Sequence, residues 1–223
     1  MQAETKKTLE HVGLIPVLRA GSVQAGHALV EAMVAGGVTV VEVTMTVPNA
    51  LTLLRELRQR YGEKLLLGSG TVTDVGQAEA TIAAGAQFVV SPSLHLDVIA
   101  RTKELGGISI PGALTPTEVI TAWRAGADYV KVFPCSAMGG ASYLKSLLAP
   151  FPELKLIPTG GVTLQTAADF LKAGARALGV GTDLVNAAAI AEGKPEIVMH
   201  MARAYLQTIR AVRNPEMGNM PPV

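Results

Sequence analysis

The sequence predicts an α/β chain folded as a single-domain (β/α)8 TIM barrel, and three observations carry that expectation. Apolar, β-branched runs alternate with segments of helical period from one end of the 223 residues to the other. The runs begin about every 23 residues, with no longer insertion where a second domain or a crossing-over connection could sit. Hydrophobic residues make up 49% but aromatics only 4%, so the core must be built from Val, Leu, Ile and Ala, which suit helices packed on parallel strands.

The elements follow in order. Residues 4–12 read as a short helix able to cover the barrel floor. Eight strand candidates lie at 14–18, 38–43, 65–67, 87–90, 107–110, 128–132, 154–157 and 176–180, each bounded by Gly, Pro or polar residues. Between them apolar side chains recur at helical spacing, for instance Ala28, Leu29, Ala32, Met33 and Leu51, Leu54, Leu57. Ala35-Gly36, Ala84-Gly85, Ala125-Gly126 and Ala173-Gly174 each place glycine after a helix, where a left-handed cap is wanted. Beyond the eighth strand, Ile197, Val198, Met201, Ala204, Tyr205 and Ile209 form the apolar stripe of a terminal helix. The barrel with its two flanking helices is assigned to residues 1–213, and the proline-containing segment 214–223 to a flexible tail.

Charge and composition exclude several classes. Nineteen Lys and Arg against eighteen Asp and Glu leave a net charge of +1, scattered along the chain, so no basic stripe for nucleic acid or polybasic membrane anchor is expected. Mean hydropathy is +0.35, yet the longest run without a charged residue, 80–96, contains Gly, Gln, Pro and His and does not make a membrane span. The first ten residues are charged throughout and lack the apolar core of a secretory signal, which makes the cytoplasm the expected compartment. One cysteine, Cys135, fits a reducing compartment and has no sequence-adjacent histidine to activate it as a nucleophile. His11, His27, His95 and His200 are dispersed and give no metal-binding spacing; His95 reads as the start of a helix. The first β/α turn lacks the GxGxxG form of dinucleotide sites.

Barrels place reactive groups where strands end. Lys131, flanked by Val130 and Val132, shares a strand face with Tyr129 and Phe133. Burial there disfavours the ammonium and favours an amine able to attack a ketone and form a Schiff base; the competing role is an ion-paired or snorkelling lysine. Glu42, near the end of the second strand, is a general acid/base candidate, or else the counter-ion of Lys131. Arg19 closes the first strand, where its fork suits a substrate carboxylate or phosphate, or a surface ion pair. The run GSGTV at 68–72 lets backbone and Thr71 approach a small ligand, or makes a turn capping the next helix at Asp74. PTGGV at 158–162 and GVGTD at 179–183 put glycine turns, including Gly160, Gly161 and Gly181, at consecutive strand ends running into helices, a phosphate-cradle pattern. A phosphosugar isomerase or epimerase would use the cradle and Glu42 but leave Lys131 an ion-pair partner. A non-catalytic phosphosugar-binding module would give no reason to bury the amine.

With these residues in place, the chain resembles the 2-keto-3-deoxy-6-phosphogluconate aldolase / 4-hydroxy-2-oxoglutarate aldolase family over about residues 10–210. The resemblance rests on VLRA at 17–20, EVTMTVP at 42–48, GSGTV at 68–72, SP at 91–92, PG at 111–112, KVFP at 131–134 and PTGGV at 158–162. It implies a metal-independent class I aldolase without cofactor, working as a homotrimer of barrels on a small-molecule substrate. The substrate implied is 2-keto-3-deoxy-6-phosphogluconate, split reversibly into pyruvate and glyceraldehyde 3-phosphate. By that resemblance Lys131 is the Schiff-base lysine, Glu42 the acid/base, and Thr71 the holder of the pyruvate carboxylate. Phe133 and Pro92 shape the pyruvate pocket, while Thr159, Gly160, Gly161 and Thr182 line the rest of the substrate and its phosphate. Where some members carry an arginine four residues after the glutamate, this chain has Thr46, and Arg19 stands where another branch places its arginine. Relatives acting on the galactonate epimer or on 4-hydroxy-2-oxoglutarate share much of this motif set.

Overall fold

The computed structural model describes residues 2–214. Helix α1 (Gln2–Val12) leads into β1 (Leu14–Leu18), α2 (Val23–Ala35), β2 (Val40–Thr44), α3 (Ala50–Tyr61), β3 (Leu66–Gly70), α4 (Val75–Ala83), β4 (Phe88–Val90) and α5 (Leu96–Glu104). Then follow β5 (Ile108–Ile110), β6 (Gly112–Ala113), α6 (Pro116–Arg124), β7 (Val130–Val132), α7 (Ala141–Leu148), β8 (Leu156–Pro158), α8 (Leu164–Lys172), β9 (Leu178–Val180), α9 (Ala187–Ala191) and α10 (Pro195–Arg213). This is an α/β fold with a curled parallel sheet. Six strands pair in the order β5-β4-β3-β2-β1-β9, and three in the order β6-β7-β8. Thr159 bridges to Gly179 between β8 and β9. On the other side, the Pro111 carbonyl between β5 and β6 accepts the Lys131 amide at 2.9 Å.

The period-two alternation of the strands sorts side chains into two layers. Ile15, Val40, Leu66, Phe88, Val90, Ile108, Ile110, Tyr129, Ile157 and Ala177 meet inside the curl, and Leu9 of α1 packs against them. Leu14, Val41, Val43, Leu67, Val130, Val132, Leu156, Leu178 and Val180 point the other way and pack with the helices. Leu9 belongs to the inner cluster because α1 lies across the sheet at the strands' N-terminal ends, as its contacts with β5 reflect.

Several expectations need correcting. The fifth predicted strand, 107–110, is found as β5, and an additional short strand, β6, follows Pro111, which has no N–H to continue the ladder; a Cβ added at Gly112 would fall 2.4 Å from the Pro92 carbonyl oxygen. Gly85, Gly126 and Gly174 have φ of 109°, 91° and 104°, but Gly36 is right-handed at −79° and the turn is made by Gly37 at 95°. On α10 the buried residues are Val198, Ala202, Tyr205, Leu206 and Ile209, whereas Ile197 is 42% exposed. The GVGTD run does not pass directly into a helix: a turn intervenes, and the five-residue α9 starts only at Ala187, capped by the Asn186 side chain. Of the segment assigned to a tail, 215–223 lies outside the described residues.

Candidate active site

Two strands turn from apolar to polar along their inner faces. On β2 the alternation that points Val40 inward also points Glu42 inward, and on β7 the step from Tyr129 leads to Lys131. Both are buried, Glu42 at 2% and Lys131 at 5% exposure. The Lys131 Nζ lies 5.0 Å from the centre of the Phe133 ring. Lys131 and Glu42 feel each other's charge, yet neither forms an ion pair with any described residue. The Glu42 Oε1 is buried without a hydrogen-bond partner among the described residues. Burial pushes the Glu42 carboxyl above the usual carboxylate range, although Lys131 and Arg19 pull it the other way. A protonatable carboxyl and an amine without a counter-ion therefore share one wall.

The two glycines of GSGTV serve other side chains. A Cβ at Gly68 would meet the Phe88 ring at 2.1 Å, and one at Gly70 would meet Glu42 Oε1 at 1.9 Å. Glycine at 70 thus makes room for the carboxyl group. Thr71, half-buried, has φ of 61°, an uncommon conformation for a β-branched residue. Asp74 does cap α4, accepting the Gln77 amide at 2.8 Å. Thr46 is exposed and bonded to Thr44 Oγ1 at 2.7 Å, while Thr44 donates to the Leu18 carbonyl at 2.8 Å. Pro92 is half-buried against Gly112.

A cavity of about 430 Å³ opens beside this wall, lined by Arg19, Phe133, Thr159, Gly160, Gly161, Gly181, Thr182 and Asp183 among others. Arg19, Phe133 and the two glycine turns are thereby brought together, and Thr46, Thr71 and Pro92 stand apart from this cavity. Gly160 and Gly161 have φ of 86° and 75°, which a residue with a Cβ rarely adopts. The amides of Gly161, Val162 and Thr182 donate to no described residue, so three N–H groups border the cavity unspent. Sequence reasoning passed over Asp183, whose carboxylate accepts the Leu164 amide at 3.0 Å at the start of α8.

Other candidates lie elsewhere. Burial pushes the Cys135 thiol up to about 11, and a thiol is a poor nucleophile in that state. His95 sits at the N-cap of α5 without capping it and bonds Ser93 Oγ at 2.9 Å. A larger cavity, about 1370 Å³, borders the N-terminal ends of the strands among Lys7, Glu10, Arg176 and Arg213. That is the end of an α/β sheet where the fold gathers helix C-termini, away from Lys131 and Glu42. No described helix is long and apolar enough to cross a membrane.

The family model for KDPG and KHG aldolases matches residues 5–201. The chain belongs to the KDPG and KHG aldolase family. It is 33% identical to the 2-dehydro-3-deoxy-6-phosphogalactonate aldolase of Escherichia coli K12 over 94% of this chain and 100% of that one. With the 2-dehydro-3-deoxy-phosphogluconate aldolase of Treponema pallidum it shares 35% identity over 91% and 96%. The structure of the Legionella pneumophila KDPG aldolase, with pyruvate captured as a covalent carbinolamine, superposes with a TM-score of 0.84 at 29% identity, covering 90% of this chain and 97% of that one. As a member of the KDPG and KHG aldolases, this protein is an enzyme, a carbon–carbon lyase of the class I, pyruvate-dependent type.

Proposed function

We propose that this aldolase cleaves 2-keto-3-deoxy-6-phosphogluconate into pyruvate and glyceraldehyde 3-phosphate, with Lys131 as the Schiff-base lysine and Glu42 as the acid/base. The observation that carries the reading is the buried Lys131 amine beside a buried, unpartnered Glu42 carboxyl, close enough to interact yet not ion-paired. The amine adds to the C2 ketone to give a carbinolamine, which loses water to a protonated imine. Glu42 takes the proton of the C4 hydroxyl, the C3–C4 bond breaks, and its electrons pass to the imine as an enamine. Protonation at C3 and hydrolysis then release pyruvate and the free lysine. A carboxyl whose affinity for protons is raised by burial is suited to carrying them both ways.

Thr71, Pro92 and Phe133 frame the pyruvate end, together with Thr46 and Arg19. Thr159, Gly160, Gly161, Gly181 and Thr182 line the distal end, where the free amides of Gly161, Val162 and Thr182 can take the phosphate. The pairing across Pro111 and the bridge from Thr159 to Gly179 support a closed (β/α)8 barrel formed by residues 1–213 as one domain. A designed cage built by fusing symmetric oligomeric domains matches this chain with a TM-score of 0.85, which supports an oligomer; the homotrimer is the form that the family resemblance implies. The cytoplasm is its proposed compartment.

Borohydride reduction in the presence of pyruvate is expected to add the mass of a reduced pyruvyl group to Lys131 and abolish activity; an unmodified Lys131 in inactivated enzyme refutes the assignment. A side-by-side cleavage assay on the gluconate and galactonate epimers and on 4-hydroxy-2-oxoglutarate tests the substrate. The phosphogluconate compound should be the best of the three, and its unphosphorylated form a much poorer substrate. A faster reaction with the galactonate epimer would move this enzyme toward its E. coli relative.

A further inference from the structure

Asp183 sits on the wall of the 430 Å³ cavity, and both of its hydrogen bonds end on one oxygen, Oδ2. One comes from the Leu164 amide at 3.0 Å, in the first turn of α8, and the other from the hydroxyl of Tyr205 on α10. Tyr205 is fully buried, so its hydroxyl needs a partner inside the protein, and burial together with that bond pushes its phenol well above the ordinary tyrosine range. The two glycine turns that line the cavity, beside Val17, Arg19 and Phe133, come from different strand ends. Gly161 and Val162 follow β8, and Gly181 and Thr182 follow β9. Among the described residues, the bond from Leu164 to Asp183 is the hydrogen bond that joins segment 160–164 to segment 181–185. Tyr205 holds Asp183 from behind, out of reach of the cavity.

We propose that Tyr205 is a positioning residue for the distal anion: through Asp183 it locks the loop carrying Thr182 to the start of α8, so that the amides of Gly161, Val162 and Thr182 converge on one anion. Donor placement matters because a misplacement of about 1 Å can cost a factor on the order of 100 in rate. Oδ2 of Asp183 is occupied by these two protein donors, which turns that oxygen to the protein rather than to the ligand. The inference rests on the proposed binding of the substrate's phosphate in this cavity.

The test compares the full chain with Tyr205→Phe, Asp183→Ala and Asp183→Asn. Three quantities are read: kcat and KM for 2-keto-3-deoxy-6-phosphogluconate, inhibition by inorganic phosphate, and solvent-deuterium exchange into the methyl group of pyruvate, which needs no distal anion. Tyr205→Phe and Asp183→Ala should raise KM and the phosphate inhibition constant by about tenfold or more, and Tyr205→Phe should keep pyruvate exchange. Asp183→Asn, whose amide oxygen can accept both bonds, should stay within about threefold of the parent protein. Unchanged KM and phosphate inhibition in Tyr205→Phe and Asp183→Ala overturn the proposal, as does an Asp183→Asn protein as weak as Asp183→Ala. If Tyr205→Phe does not fold, the two Asp183 variants decide alone. A parent protein that phosphate does not inhibit refutes the phosphate site itself, an outcome separate from equal inhibition of parent and variants.

Discussion

Glu42 and Lys131 are both charged residue types held almost without solvent contact, and among the described residues neither has an ion-pair partner. Such an arrangement is costly to fold and therefore legible as chemistry. The cost has a sign that can be measured. Because burial raises the Glu42 pKa in the folded state, the folded protein binds more protons than the unfolded chain between the ordinary carboxylate value and the raised one. Stability from this group is full below the ordinary value and is lost as pH rises through the raised one. Glu42→Gln should remove that loss, so its stability in urea should gain on the parent as pH rises through the window and then level off. Parallel stability–pH curves would contradict it. The same variant should lower kcat by about 100- to 10,000-fold, the usual contribution of a positioned acid/base.

At the scale of elements, the strands carry two messages in alternating positions. In the strand around Lys131 the alternation is legible in the sequence, which sets Lys131 on the face of Tyr129 and Phe133. What lies across from a strand was not legible. The glycines of GSGTV read as an approach for ligand, but they accommodate the Phe88 ring and the Glu42 carboxyl. Two substitutions should therefore behave differently. Gly68→Ala crowds an interior aromatic ring and should cost about 1–3 kcal/mol of stability, read by thermal unfolding. Gly70→Ala pushes on the end of a movable side chain and should lower kcat more than stability. Equal effects of the two on both quantities would contradict this assignment. The end of the fifth strand at Pro111 was visible as a proline, whereas the close approach of the Pro92 backbone to Gly112 depends on a neighbouring strand end.

At the scale of the molecule, the end of the sheet away from Lys131 is tied by charges. Asp128 is buried, and it accepts Lys103 at 2.7 and 2.8 Å, Lys6 at 2.6 Å and the Ser109 amide at 2.9 Å, joining α1, α5 and β5. Burial alone would raise its carboxyl, but those bonds outweigh burial and hold it below the usual range. Its contribution to stability is thus full above the ordinary carboxylate value and is lost as pH falls through the lowered one, opposite in sense to Glu42. Asp128→Asn should be less stable than the parent at neutral pH and converge with it in acid, as followed by urea unfolding at a series of pH values. A difference that persists undiminished in acid would exclude the carboxylate charge as its cause.

By itself the sequence determined the α/β alternation, the strand face that Lys131 shares with Tyr129 and Phe133, the family and the pair of residues proposed for the chemistry. All of these are local or periodic properties of a chain, since hydrophobic period and residue type survive without knowledge of neighbours. Only the tertiary structure decided that Glu42 and Lys131 sit near each other without pairing, that Gly70 makes space for the carboxyl, and that Asp183 and Tyr205 tie two distant segments together. Those facts depend on distances between residues far apart in the chain, and such distances are set by packing, which no single stretch of sequence encodes.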